Sequence, residues 1–295
     1  MGQALDFRDE CDALHSALGN APAEAWAEPT QFKGWTFDDV LGHLYFFDNA
    51  AEIAARSRDE IQALFRDIFQ AGATGVSLID YSRRWLRGCA GSALLERWRT
   101  QYQRLAEIYA AFEPGHRLAW AGPDMSARSF MSARQMETWA HGQAIFDALG
   151  IDRVEHDRLR NIAVMGVNTF DWTFKVNRRD VPAVKPYVRL RSPSGALWEW
   201  NEPSTAERVE GSAVEFCRVV TQTRNVLDTN LAVTGDIAQQ WMAIAQCFAG
   251  PPESPPAHGT RFKQGRYNRR GDRKRGRDPR DVASRITTQC RHRRR

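Results

Sequence analysis

Apolar residues recur at intervals of three and four through much of the first 176 positions, the period of helices with one buried face. The pattern predicts a first amphipathic helix over residues 3 to 19, followed by a Pro-containing loop, APAEAWAEPTQFKGW. Thr36 with Asp39 three positions later has the pattern of a capping box and starts a second helix, which runs to about Arg56. Residues 58 to 70 predict a shorter helix. A long helical stretch, about 77 to 112, is expected to break at Gly88 or Gly91 and to end at Glu113-Pro114-Gly115. Ser126 is a suitable N-cap for the next helix and Gly150 suits its C-terminal stop. A further helix is expected over about 157 to 176.

Beyond Pro182 and Pro186 the period changes from helical to two. YVRLRS and ALWEW alternate around the turn SPSG as a β-hairpin does, and ERVEG supplies a third strand. SAVEFCRVVTQT and GDIAQQWMAIAQCF then return to helix. The expected architecture is mainly α: a helical bundle over residues 1–180, a small α+β domain over 181–252, and a tail over 253–295.

Charge sharpens that division. The chain has 41 Lys+Arg and 36 Asp+Glu over 295 residues, but 15 of the basic and 4 of the acidic residues lie in 251–295. The body is therefore acidic and the tail basic, poor in apolar residues and expected to be disordered. Binding to RNA or to acidic surfaces would reside in the tail alone, and no basic face is expected on the folded body. The cysteines, Cys11, Cys89, Cys217, Cys247 and Cys290, are odd in number and include no CxxC pair, which points to reduced, cytoplasmic usage. Cys217 and Cys247 lie on apolar helical stretches and are expected in a core. The N-terminus lacks the basic start and apolar run of a signal peptide, and no stretch has the length of a membrane span.

The chemistry-bearing residues sit on two of the predicted helices. Glu137 and His141, in ETWAHGQAIFDALG, are four positions apart and so share a helix face, on a stripe with Phe130, Ala133, Ala144, Ile145 and Ala148. His43, in GWTFDDVLGHL, shares its stripe with Val40, Leu44, Phe47 and Ala51. A carboxylate on an apolar face needs a partner. Two imidazoles and one carboxylate make a metal site with an open position, the pattern of catalytic zinc. The plainer reading is that helical histidines are more often core or surface residues than ligands.

The runs GWTFDDVLGHL and ETWAHGQAIFDALG resemble the two signature segments of the mycothiol-dependent maleylpyruvate isomerase family. The likeness includes the tryptophan before the second helix and the H-G-x-x-I-x-D-A-L-G stretch after Glu137. The segments from WEWNEPSTAERVEGSAVEFCRVVTQTRN to TGDIAQQWMAIAQCFAGPP look like the family's small C-terminal domain, related to sterol carrier proteins. The resemblance covers nearly all of residues 1 to 252 and none of the tail. It implies a DinB-like four-helix bundle, a divalent metal, zinc foremost, on His43, Glu137 and His141, and mycothiol as thiol cosubstrate. It further implies an active-site arginine from the C-terminal domain, for which Arg224 is the candidate and Arg218 a neighbour. An isomerase or thiol transferase acting on an electrophilic small molecule follows. The alternatives are a metal- or ligand-binding protein without catalysis, a metal-dependent hydrolase, and an RNA-associated protein acting through the tail. Substrate, physiological metal and oligomeric state are not fixed by these residues.

Overall fold

The computed structural model describes residues 1–264 and is built around two apolar cores. The helices of the first are α1 (Gly2–Gly19), α2 (Phe37–Arg56), α3 (Arg58–Ala73), α4 (Leu78–Leu86), α5 (Gly91–Ala110) and α6 (Ala127–Leu149). Helix α1 packs on α5 and α6, and α2 packs on the same pair, which closes a four-helix bundle. Helices α3 and α4 lean on α2 from outside. The capping box at α2 is complete: Asp39 N–H donates to Thr36 Oγ1 at 3.2 Å, and Thr36 N–H to the Asp39 carboxylate at 3.0 Å. Ser126 caps α6, and Gly150 ends it in the left-handed region at φ 70°. The stretch expected as one helix over 77–112 is α4 and α5, separated where Arg87, Gly88 and Gly91 take positive φ.

Two short strands, β1 (Arg117–Leu118) and β2 (Met125–Ser126), form an antiparallel ribbon ahead of α6 that the sequence pattern did not announce. Two residues per strand are too few for a periodicity to register. The helix expected over 157–176 is two helices, α7 (Arg160–Asn168) and α8 (Phe170–Val176). Their apolar residues, Ile162, Ala163, Val167, Phe170 and Phe174, belong to the second core with the C-terminal sheet, and not to the bundle core.

That sheet has the order β4-β3-β5-β6, from β3 (Tyr187–Arg191), β4 (Leu197–Trp200), β5 (Arg208–Ser212) and β6 (Ala232–Thr234). The hairpin β3–β4 turns at Ser192–Gly195 as its SPSG signature indicates, with Arg191 opposite Leu197. β5 runs parallel to β3, and the short strand β6, absent from the sequence reading, pairs antiparallel with β5. Helices α9 (Ala213–Val220) and α10 (Asp236–Ile244) complete this unit, whose core holds Phe216, Cys217, Trp241 and Cys247. Burial pushes the thiols of Cys217 and Cys247 upward, as expected of inert core cysteines.

Helix α6 joins the two units. Phe130, Met131 and Ile145 face the bundle core while Met136 and Trp139 enter the second. A helix flanked by apolar packing on two sides is buried nearly all round, and the polar residues on it must therefore find partners.

The tail expectation needs correction at its start. Residues 253–264 lie back along the body: Glu253 pairs with Lys33 at 2.9 Å, Phe262 N–H donates to Gln31 Oε1 at 2.8 Å, and Gln264 N–H donates to the Asp147 carbonyl at 2.7 Å. Backbone and side-chain partners on both units hold this strap, which charge composition does not reveal. The rest of the predicted tail, 265–295, lies outside the described residues. Among the described residues no helix is long and apolar enough to cross a membrane.

Candidate metal centre

His43 is carried by α2, and Glu137 and His141 by consecutive turns of α6. One ligand atom from each lies within 4.8 Å of the others. His141 Nε2 is 3.1 Å from Glu137 Oε2, His43 Nε2 is 3.6 Å from the same oxygen, and the two imidazole centroids are 4.5 Å apart. Tetrahedral zinc with bonds of about 2.0–2.2 Å places its donor atoms roughly 3.3–3.5 Å apart. The two spacings to Glu137 Oε2, 3.1 and 3.6 Å, bracket that range.

The hydrogen-bond inventory of the cluster fits an ion as well. His43 is 7% exposed, and neither of its ring nitrogens has a hydrogen-bond partner; His141 Nδ1 is likewise buried without one. Buried polar atoms seldom remain unpaired in proteins. Burial, with the nearby His141 and Arg134, lowers the His43 pKa to about 4, so its ring is neutral at pH 7 and has a lone pair to offer. Burial pushes the Glu137 carboxyl up, but His141 and His43 outweigh this and hold it well below the usual range. The Glu137 side chain is 25% exposed, which leaves an opening from solvent toward the cluster.

An aromatic wall surrounds the imidazoles. The loop before α2 makes a tight turn in which Lys33 (φ 51°) and Gly34 (φ 70°) are both left-handed and Trp35 N–H donates to the Phe32 carbonyl at 2.9 Å. This turn folds Phe32 and Trp35 back onto the site. Trp35 stacks on His141 at 5.6 Å, Phe32 meets His141 edge-on at 5.0 Å, and Phe47 lies 4.8 Å from His43.

A buried ion pair fixes the register of the two ligand helices. Arg134, three residues before Glu137, donates from Nε to Asp48 Oδ1 at 2.9 Å, and Trp98 Nε1 donates to Asp48 Oδ2 at 2.8 Å. Asp48 is fully buried and Arg134 nearly so. Sequence reasoning did not single out either residue, although Arg134 at i−3 from Glu137 could have been found by the helical spacing that found His141.

The sequence candidate Arg224 pairs with a carboxylate of α6. Its Nη2 donates to Asp147 Oδ1 at 2.7 Å and its Nη1 to the Thr223 carbonyl at 2.8 Å. No hydrogen bond or ion pair links it to His43, Glu137 or His141 among the described residues. Arg218 faces Glu155 at 3.9 Å.

Residues 7–146 match the family model described as the mycothiol maleylpyruvate isomerase N-terminal domain. The chain is 42% identical over 248 residues to the uncharacterized proteins MT0041 and Rv0036c of two Mycobacterium tuberculosis strains, an alignment covering 84% of this chain and 95% of each relative. A crystal structure of the mycothiol-dependent maleylpyruvate isomerase aligns with a TM-score of 0.48 at 15% identity, covering 74% of this chain and 87% of that one.

Proposed function

Because the chain belongs to the mycothiol maleylpyruvate isomerase family, we propose that it is an isomerase-type enzyme in which His43, Glu137 and His141 hold a divalent metal ion, zinc foremost, and mycothiol is the cosubstrate. The observation that carries the reading is the convergence of two imidazole nitrogens on one Glu137 oxygen, at 3.1 and 3.6 Å, with both ring nitrogens of His43 and Nδ1 of His141 buried without a hydrogen-bond partner. When bound, the ion supplies a Lewis acid that keeps a thiol ionised at neutral pH, and such a thiolate adds to and leaves from a cis double bond conjugated to a carbonyl, returning it trans with atoms and electrons unchanged.

The protein's own residues set the conditions for that chemistry. Glu137 contributes the single negative charge of the ligand set, and His43 and His141 contribute neutral nitrogens. Trp35, Phe32 and Phe47 exclude water around the imidazoles, which strengthens every electrostatic contact in the cluster. Arg134 and Asp48 hold α2 against α6, so that ligands 94 positions apart in sequence meet.

The test is metal analysis of protein purified without chelator, alongside His43→Ala and Glu137→Ala variants, with turnover of a cis-alkene keto acid in the presence of mycothiol. Stoichiometric metal and cis-to-trans conversion, both lost in the variants, support the proposal. Metal without turnover across a broad panel of electrophiles favours a binding protein, and undiminished metal in both variants refutes the ligand set.

A further inference from the structure

The loop that carries Phe32 and Trp35 is closed on itself. Thr30 N–H donates to the Trp35 carbonyl at 2.8 Å, Phe32 N–H to Thr30 Oγ1 at 3.2 Å, and Trp35 N–H to the Phe32 carbonyl at 2.9 Å. Among the described residues, positions 31–35 make no hydrogen bond to α2 or α6, the helices that carry His43, Glu137 and His141. The loop meets the imidazoles through ring contacts: Trp35 lies 5.6 Å from His141 and 5.4 Å from His43, and Phe32 lies 5.0 Å from His141. A segment bonded within itself, and tied to the helices by ring faces, can open as one unit.

Polar contacts that hold this loop down come from the strap of residues 253–264. Glu253 pairs with Lys33 at 2.9 Å, and Phe262 N–H donates to Gln31 Oε1 at 2.8 Å. The Arg261 guanidinium, in the field of Glu253 and Asp147, covers the Phe32 ring at 5.0 Å. On its other side the strap is anchored to the C-terminal unit. Glu253 N–H donates to Gln246 Oε1 at 3.0 Å, Gln222 Nε2 donates to the Glu253 carbonyl at 2.9 Å, and both glutamines are buried. Asn225 Nδ2 also donates to the Pro256 carbonyl at 2.8 Å.

The two sides differ in strength. Breaking a hydrogen bond of a buried amide strands a polar group away from water. The Lys33 and Glu253 side chains are 46% and 40% exposed, so their ion pair is weak and screened by salt. The firm end of the strap is thus on the C-terminal unit, and the releasable end is on the loop.

We infer that residues 253–264 latch the loop over residues 30–35 as a lid on His43 and His141, and that release of the Lys33–Glu253 and Gln31–Phe262 contacts opens the imidazoles to small molecules. With the lid closed, the His43 and His141 side chains are 8% and 14% exposed. The inference rests on the reading of these histidines as the functional centre. It assigns control of entry to a segment that contributes no ligand to that centre.

The experiment applies diethyl pyrocarbonate, which acylates accessible neutral imidazole, briefly to the full-length, metal-free protein. Mass spectrometry of the peptides reads carbethoxylation of His141 and of His15, which pairs with Glu96 and touches neither loop nor strap. In the parent, raising NaCl from about 0.05 M to about 1 M should speed labelling of His141 and leave His15 unchanged. Glu253→Lys should speed His141 by up to about fivefold, and Glu253→Lys with Gln31→Ala by roughly tenfold. Lys33→Glu combined with Glu253→Lys should return the rate toward that of the parent, a rescue that general loosening would not give. His141 reacting at the parent rate in the Glu253→Lys, Gln31→Ala protein overturns the latch. Where His15 rises equally, the variant has loosened as a whole and the salt series of the parent decides: a His141 rate independent of salt overturns the latch. Acceleration confined to His141 in a protein that takes up no zinc leaves the latch standing and sinks the metal reading.

Discussion

Replacing Arg134 by Met removes the cation from a carboxylate that has no access to water. Asp48 is 0% exposed, and after the substitution its one remaining side-chain donor is Trp98 Nε1 at 2.8 Å. Two unit charges whose centres are about 4 Å apart interact by about 4 kcal/mol at an effective dielectric of about 20. Stranding one member of a buried pair typically costs about 3–5 kcal/mol, and the two figures agree. The sign of the pH dependence follows from the same burial. Burial already raises the Asp48 pKa despite Arg134, and removing the cation raises it further. The folded variant therefore takes up a proton at a pH where the unfolded chain does not, and its destabilisation is greatest near pH 8 and shrinks toward pH 4.5. Asp48→Asn in the Arg134→Met background should recover a large part of the loss at pH 8, because the amide can still accept from Trp98. Urea unfolding followed by tryptophan fluorescence at several pH values measures each of these. A destabilisation under 1 kcal/mol at pH 8, or one that stays constant with pH, would show that the pair does not carry the energy assigned to it. Because Asp48 and Arg134 sit five residues after His43 and three before Glu137, Arg134→Met should also weaken zinc binding.

Three other substitutions or additions probe separate parts of the molecule. A Cβ on Gly166 would meet Val220 Cγ2 at 2.8 Å and Phe216 Cε1 at 2.9 Å, so Gly166→Ala should cost about 1–3 kcal/mol by forcing α7 from α9, read as a lower urea midpoint. Asp39 is buried, which would raise its carboxyl, but Arg83 and the Thr36 cap hold it below the usual 3.8. Asp39→Asn should thus cost about 1 kcal/mol at pH 7, and the difference should begin to fade as the pH drops below 3.8, where the unfolded chain takes up the proton, and vanish once the folded carboxyl, held lower, is protonated too; a difference at pH 2.5 as large as at pH 7 would contradict this assignment. Zinc at a hundredfold excess over its dissociation constant should stabilise the folded chain by about 2.7 kcal/mol, an increase in melting temperature that Glu137→Ala should abolish.

The local features of the site were legible in the sequence because their causes are local. The capping box of Thr36 and Asp39, the left-handed stop at Gly150 and the one-face placement of Glu137 and His141 each depend on residues within a turn or two. The turn signature SPSG and the alternation around it were enough to place the hairpin β3–β4. Short-range geometry could not say that α6 would serve two cores, since apolar residues on two faces blur the single stripe by which a helix is normally assigned a side. Nor could it separate α7 and α8 from the bundle, because their periodicity is the same whichever core receives it.

His43, Glu137 and His141 stand between these two cases. Their residue types and the four-residue spacing on α6 are written in the chain. The 3.6 Å approach of His43 to Glu137 exists only because α2 and α6 are packed in a register set by the buried Arg134–Asp48 pair. Arg224 shows the same limit from the opposite side. An arginine announces a charge wherever it occurs, but its role depends on the acid it meets, and Asp147 meets Arg224 across 77 positions of sequence. The sequence determined the helices, their caps and the donor types. The tertiary structure decided which donors converge and which acid each guanidinium meets, because those outcomes depend on contacts between distant segments that packing alone brings together.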